Sequence, residues 1–191
     1  MTEPKDPFLD ELLEGDLDAL EQALSKLAED APSSSRRDAL LQATTTTNRF
    51  PELVEALAKA TDLNEDAAQD LLIAVDDASR WVDGPAPWIH LLHFEGGPAT
   101  ARSITGFVKV DPGQAFPEHG HLGDEIVIVL QGEAKDSLSG KVYRRGDTVT
   151  ADPSIEHAVI VVSDIPLIYL AVVAEGIRLG GEDIPFDDPR A

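Results

Sequence analysis

The sequence predicts a mainly-β C-terminal domain, a barrel or sandwich of antiparallel strands, behind an all-α N-terminal domain. Three observations predict it. Apolar residues recur at three- and four-residue intervals as far as residue 77, short β-branched runs replace that pattern from Trp88 onward, and Gly84, Pro85 and Pro87 separate the two. The expected boundary is therefore at Gly84, with a helical segment 1–84 and a β segment 85–191.

In the first segment, residues 7–13, 17–27, 37–45, 50–60 and 65–77 carry Leu, Ala and Val at helical spacing, and Leu17, Leu20, Leu24 and Leu27 form one stripe. A cap is legible at Asn64: it precedes Glu65 and Asp66, which places carboxylates at the positive start of a helix. Four or five short helices with one apolar face each imply a small bundle.

In the second segment the strand signals are WIHLLHF, ITGFVKV, EIVIVLQG, KVYRRGDTVTA, HAVIVV and LIYLAVVAE, separated by Gly, Pro, Asp and Ser. Strands without intervening helices make an antiparallel sheet structure. The tail GGEDIPFDDPRA has too little apolar content to stand alone and is expected to be an extended or loosely ordered end.

Composition limits the function. A chain of 191 residues, 42% apolar, is long enough to bury a real core. The absence of cysteine excludes disulfides, thiol chemistry and Cys-based zinc sites, so any metal must sit on His and carboxylates. No apolar run approaches a membrane span and the start is acidic, so the expectation is a cytoplasmic chain with no membrane association. A net charge of −21 disfavours direct contact with nucleic acid. Residues 1–84 hold 20 acidic and 7 basic side chains, which leaves a basic protein partner open.

The stretch GQAFPEHGHLGDEIVIVLQG, from Gly113 to Gly132, carries the chemistry. Side chains alternate faces along a strand, so His119 and His121 project to one side, close enough to share an ion. Glu125 has the same parity after a Leu-Gly-Asp turn, and His157 is the only histidine downstream that can add a fourth ligand. Three imidazoles and one carboxylate suit zinc, iron, manganese or nickel better than calcium or magnesium.

Gly113, His119, His121, Glu125 and Gly132 fill every signature position of the first cupin motif, which the stretch resembles. The second cupin motif is matched in part: Gly146 and His157 keep its spacing, whereas Asp152, Ser154 and Val161 stand where Pro, Gly and Asn are usual. The resemblance implies a cupin barrel, a double-stranded β-helix or jelly roll, with a divalent ion on His119, His121, Glu125 and His157.

The phrases LLHFEGGP, FPEHGHLGDEIVIVLQG, RRGD and IEHAVIV resemble ChrR-type cupin proteins. In that group the helical domain clasps a sigma factor, and the cupin domain holds zinc and responds to oxidants. The resemblance thus implies zinc, a sigma-factor partner and a small-molecule or oxidant signal. The zinc site of the founding helical domains uses His and Cys, and residues 1–84 contain neither. Cupins often pair through their sheets, which implies a homodimer.

The other candidates are weaker. His90 and His93, three apart on a strand, point to opposite faces. Asp124 and Glu118 adjoin the ligands and are candidates to orient the imidazoles. Arg144 and Arg145 read as a solvated pair at a turn, and Trp81, Trp88, Phe94 and Phe107 as core or cavity wall. There is no Ser-His-Asp order, phosphate-binding loop or dinucleotide fingerprint. Two functions fit: a metal-binding sensor that signals to a protein partner, or a metal-dependent oxygenase or isomerase acting on a small polar substrate.

Overall fold

The computed structural model describes Arg37 and residues 47–189. The chain divides into two compact units, residues 1–44 and 45–191, and every element below belongs to the second. The expected helices at 7–13, 17–27 and 37–45 lie outside the described residues, apart from Arg37, which is helical.

The two helices expected at 50–60 and 65–77 are present as α1 (Val54–Thr61) and α2 (Glu65–Ala74). Pro51 opens a single 3₁₀ turn before α1, where its missing N–H costs nothing. Asn64 caps α2 as its position suggested: its Oδ1 accepts from the Ala67 N–H at 2.8 Å.

Among the described residues, twelve antiparallel strands form two six-stranded sheets. The first sheet runs β1 (Val82–Asp83), β2 (Ile89–His93), β3 (Ser103–Val110), β10 (Leu167–Ala174), β5 (Glu125–Gln131), β8 (Thr148–Ala151). The second runs β12 (Glu182–Pro185), β11 (Gly176–Leu179), β4 (Ala115–His121), β9 (Glu156–Val161), β6 (Glu133–Asp136), β7 (Val142–Arg144). The chain crosses between sheets at the β4–β5 and β5–β6 corners, so neighbours in sequence face each other across the interior.

Glycine is required at both corners. A Cβ at Gly123 would lie 2.7 Å from the Ala174 carbonyl oxygen. Gly132 has φ +79°, and its Cβ would meet the Pro166 carbonyl oxygen at 2.9 Å.

The core has two layers. Between the sheets lie Ile89, Val108, Phe116, Val129, Val161 and Leu167. On the outer face of the first sheet, Phe50, Leu57 and Leu72 pack onto Leu92, Phe107 and Leu170, all at most 1% exposed. This sheet is therefore buried on both faces, which is why β5 and β10 read as continuous apolar runs without alternation.

That second layer spans the boundary expected at Gly84. The helices of 54–74 share a core with the barrel strands, and the compact unit begins at Thr45. Gly84 is packed rather than a loose linker: its N–H donates to the Ile89 carbonyl at 2.8 Å, and a Cβ there would meet Ile89 at 2.8 Å. The tail is extended, the first of the two forms expected, and it is also paired. Residues 176–179 and 182–185 pair as a hairpin, and β11 lies beside β4, so backbone pairing supplies what the sparse apolar content does not. Arg144 and Arg145 are not simply solvated. Arg144 pairs with Glu133, while Arg145 donates to Glu52 and to the Arg49 carbonyl and lies over the Phe50 ring.

Candidate metal centre

β4, β9 and β5 bring the four expected residues together. His119 and His121 come from β4, His157 stands opposite His119 on β9, and Glu125 reaches in from β5 on the facing sheet. Glu125 thus joins the cluster from across the interior, and parity along one strand is not what places it. One ligand atom from each residue lies within 4.8 Å of the others. All four are buried, at 5%, 1%, 5% and 8% exposure for His119, His121, Glu125 and His157.

A β-bulge sets the histidine faces. The pairing of β4 with β9 shifts register between Phe116 and His119, so both side chains point inward although they are three residues apart. Their rings meet edge-on with centroids 4.9 Å apart. Pro117 occupies the bulge, where no ladder N–H is needed, and the His119 Nδ1–H donates to its carbonyl at 2.9 Å. A carbonyl can only accept, so the His119 lone pair is on Nε2.

His157 is fixed in the same sense. Its Nδ1–H donates to Asp136 Oδ2 at 2.5 Å, which leaves Nε2 as the free donor atom. Asp136 is held in turn by Ser139, whose N–H and hydroxyl donate to Oδ1 at 2.6 and 2.5 Å. Burial pushes the Asp136 carboxyl up, but Ser139 and His157 outweigh it and hold it below the usual range.

Both nitrogens of His121 and Nε2 of His157 are buried without a hydrogen-bond partner. His121 Nε2 and Glu125 Oε2 are 3.2 Å apart yet not aligned as a hydrogen bond, and His157 Nε2 is 3.9 Å from the same oxygen. Orphaned buried polar atoms are costly in a protein interior, and a cation in the cluster gives a partner to one nitrogen of His121 and to His157 Nε2. The residues therefore fit a metal ion. Burial, the main influence on His119, lowers its pKa and keeps it neutral. Burial acts the same way on His121, but the Glu125 carboxylate and the Asp152 backbone outweigh it and raise that pKa.

Two cavities flank the cluster and share Glu125 and Tyr169 as a common wall. One, of about 390 Å³, includes His119 and is lined by Leu91, Val108, Phe116 and Ile177. The other, of about 230 Å³, includes His157 and Asp136. Burial, with Glu125 adding to it, pushes the Tyr169 hydroxyl well above its ordinary pKa.

Neither Asp124 nor Glu118 orients an imidazole; Asp136 and the Pro117 carbonyl do so instead. No sequence pattern marks Asp136, because its approach to His157 depends on pairing between β6 and β9. Tyr169 carried a weak signal as a hydroxyl in the apolar run LIYLAVVA. His90 lies 3.8 Å from Asp83, and His93 reaches the larger cavity; neither belongs to the cluster.

Residues 106–173 match the family described as Cupin domain, and this segment of the chain is a cupin domain. The chain is 35% identical over 81 residues to the anti-sigma-E factor ChrR of Cereibacter sphaeroides, a match covering 42% of this chain and 37% of ChrR. It thus spans little more than a third of that relative. Similar solved structures include Rhodobacter sphaeroides SigE in complex with the anti-sigma ChrR, at 24% identity, TM-score 0.47 and coverage of 86% of this chain and 81% of that one. Another is an acetylacetone dioxygenase from Acinetobacter johnsonii, at 13% identity, TM-score 0.48 and coverage of 58% and 83%. Among the described residues no helix is long and apolar enough to cross a membrane.

Proposed function

We propose that this chain is a metal-binding regulatory protein that acts as an anti-sigma factor, its cupin domain sensing a small molecule or oxidant. The observation that carries the proposal is the buried four-residue cluster with two imidazoles locked as Nε2 donors, within a chain similar to ChrR. In this reading His119, His121, Glu125 and His157 hold one divalent ion. Zinc is the first choice, since three imidazoles and a carboxylate complete a tetrahedral set. The partner is a sigma factor met through the acidic first 84 residues. Because those residues contain no His or Cys, partner binding there requires no second metal site.

The test is copurification of the full chain from its host, with metal analysis of the same sample. Stoichiometric zinc and a captured sigma factor, retained after a chelator has been added, support the proposal. A metal-replete chain that captures no sigma factor overturns it.

The cavity beside His119 and Glu125 favours a second reading, a metal-dependent oxygenase or isomerase. Ferrous iron with oxygen consumption in that sample would select it.

A further inference from the structure

The larger cavity runs from a rim at the surface to the metal cluster, and its lining is specific in what it omits. At the rim, Asp83 has a fully exposed side chain, and Gly84 and Pro85 lie beside it. Leu91, Val108, Phe116, Ala171 and Ile177 form walls, and His119, Glu125 and Tyr169 form the inner end. Its volume of about 390 Å³ is within the usual range for small-molecule sites, roughly 300–1,000 Å³.

No lysine or arginine lines either cavity. A phosphorylated or polycarboxylated ligand would bring several charges into an interior with no cationic side chain to meet them. A sugar fares no better, because its hydroxyls would face aliphatic walls and lose their hydrogen bonds. Besides Asp83 and His93, the polar groups of the lining, His119, Glu125 and Tyr169, stand at the inner end. There the Tyr169 hydroxyl has no hydrogen-bond partner among the described residues, and the four-residue cluster lies beside it.

We propose that this cavity binds a small apolar molecule bearing one terminal oxygen function, with its body along the aliphatic walls and its oxygen at Tyr169 and the cluster. The proposal names the signal of the regulatory protein above and rests on that reading for its biological role. The fit to the walls and to Tyr169 stands without it. A neutral alcohol needs only the walls and the tyrosine, whereas a carboxylate also needs the positive charge of a bound ion to offset Glu125.

The experiment is calorimetric titration of the full chain, metal-loaded and metal-stripped, with 1-octanol, octanoate and glucose 6-phosphate. Metal content and sigma-factor capture are measured separately on the same preparations. The expected result is that 1-octanol binds both forms, octanoate binds the metal-loaded form, and the sugar phosphate binds neither. Ala171→Trp, which fills the cavity, should weaken binding by about tenfold or more. Tyr169→Phe, which preserves shape and folding, should weaken 1-octanol binding several-fold. Failure of 1-octanol to bind either form overturns the proposal, as does 1-octanol binding unchanged in a folded Tyr169→Phe protein. Loss of sigma-factor capture alone counts against the regulatory reading and leaves the ligand result intact.

Discussion

His157 donates from Nδ1 to Asp136 across the β6–β9 pairing, at 2.5 Å, while its other nitrogen faces the cluster without a partner. Asp136 is the outer member of a carboxylate–histidine arrangement that fixes which nitrogen is free. Partners of this kind typically change metal affinity by about 10–100-fold when removed. Asp136→Asn should therefore raise the dissociation constant for zinc by roughly that factor while full occupancy remains reachable at high zinc. Competition against a chelator of known affinity measures it; unchanged affinity would mean that Asp136 serves the Ser139 turn alone.

His121→Ala removes a member of the cluster that is 1% exposed and stands on β4 opposite Ile177 of β11. Zinc content of the purified protein should fall well below one equivalent, and the rise in Tm on adding zinc should shrink or vanish, since metal that binds only the folded state stabilises it. Metal analysis and thermal melts with and without zinc check this.

The pH dependence of metal binding follows from opposite shifts. His119 is neutral even below its ordinary value of 6.5, whereas Glu125 keeps His121 protonated above that value in the ion-free protein. Metal must displace the His121 proton, so affinity should begin to fall while the pH is still above 6.5, with proton release on binding. For the ion-free fold the sign is the reverse of a carboxylate's. The His121–Glu125 contribution is fully present below 6.5 and is lost as pH rises through the raised folded value. Titrations in buffers of different ionisation enthalpy count the protons released.

Much of the candidate centre was legible, for a local reason. His119 and His121 share a face because strands alternate, and His157 was the only downstream histidine. Glu125 lies in the cluster, but by another geometry, since the chain changes sheets at Gly123 and parity does not carry across a corner. Asp136 was hidden because a contact with His157 depends on strand pairing that no periodicity encodes. The expected boundary at Gly84 rests on the local change of pattern alone. Helical periodicity identified α1 and α2 but could not say that their apolar faces lie on the sheet.

Glu52 and Arg145 join the segment before α1 to the β7–β8 turn. The Glu52 carboxyl lies below its ordinary value of 4.5, chiefly through its own backbone N–H and then through Arg145. A depressed folded pKa gives stability that is present above the unfolded value and lost as pH falls through the folded one. Glu52→Gln should lower Tm slightly at neutral pH, and the difference from the parent chain should close in acid. Melts across that range test it, and a gap that persists in acid would point to packing instead of charge.

The helix–barrel interface gives the last prediction. Leu57 and Leu72 are fully buried, with Leu92, Phe107 and Leu170 in the same core. Leu57→Ala should cost about 2–5 kcal/mol, because the cavity it leaves lies against a sheet that cannot easily collapse. For a chain of this size, each kcal/mol lowers Tm by about 2–4 °C, so a fall of roughly 5–20 °C is expected. Zinc binding to the folded protein should be little changed, since Glu125 is on the opposite face of this sheet and the three histidines stand on the second sheet. A chain beginning at residue 85 would lack both helices and expose the outer face of β2, β3, β5 and β10, an apolar surface of the kind that drives aggregation. A chain beginning at residue 45 keeps that cover and should remain monodisperse with a single cooperative melt. Scattering and thermal denaturation of the two truncations decide the matter. A well-behaved 85–191 fragment with unchanged Tm would show that the helices dock on a sheet already stable without them.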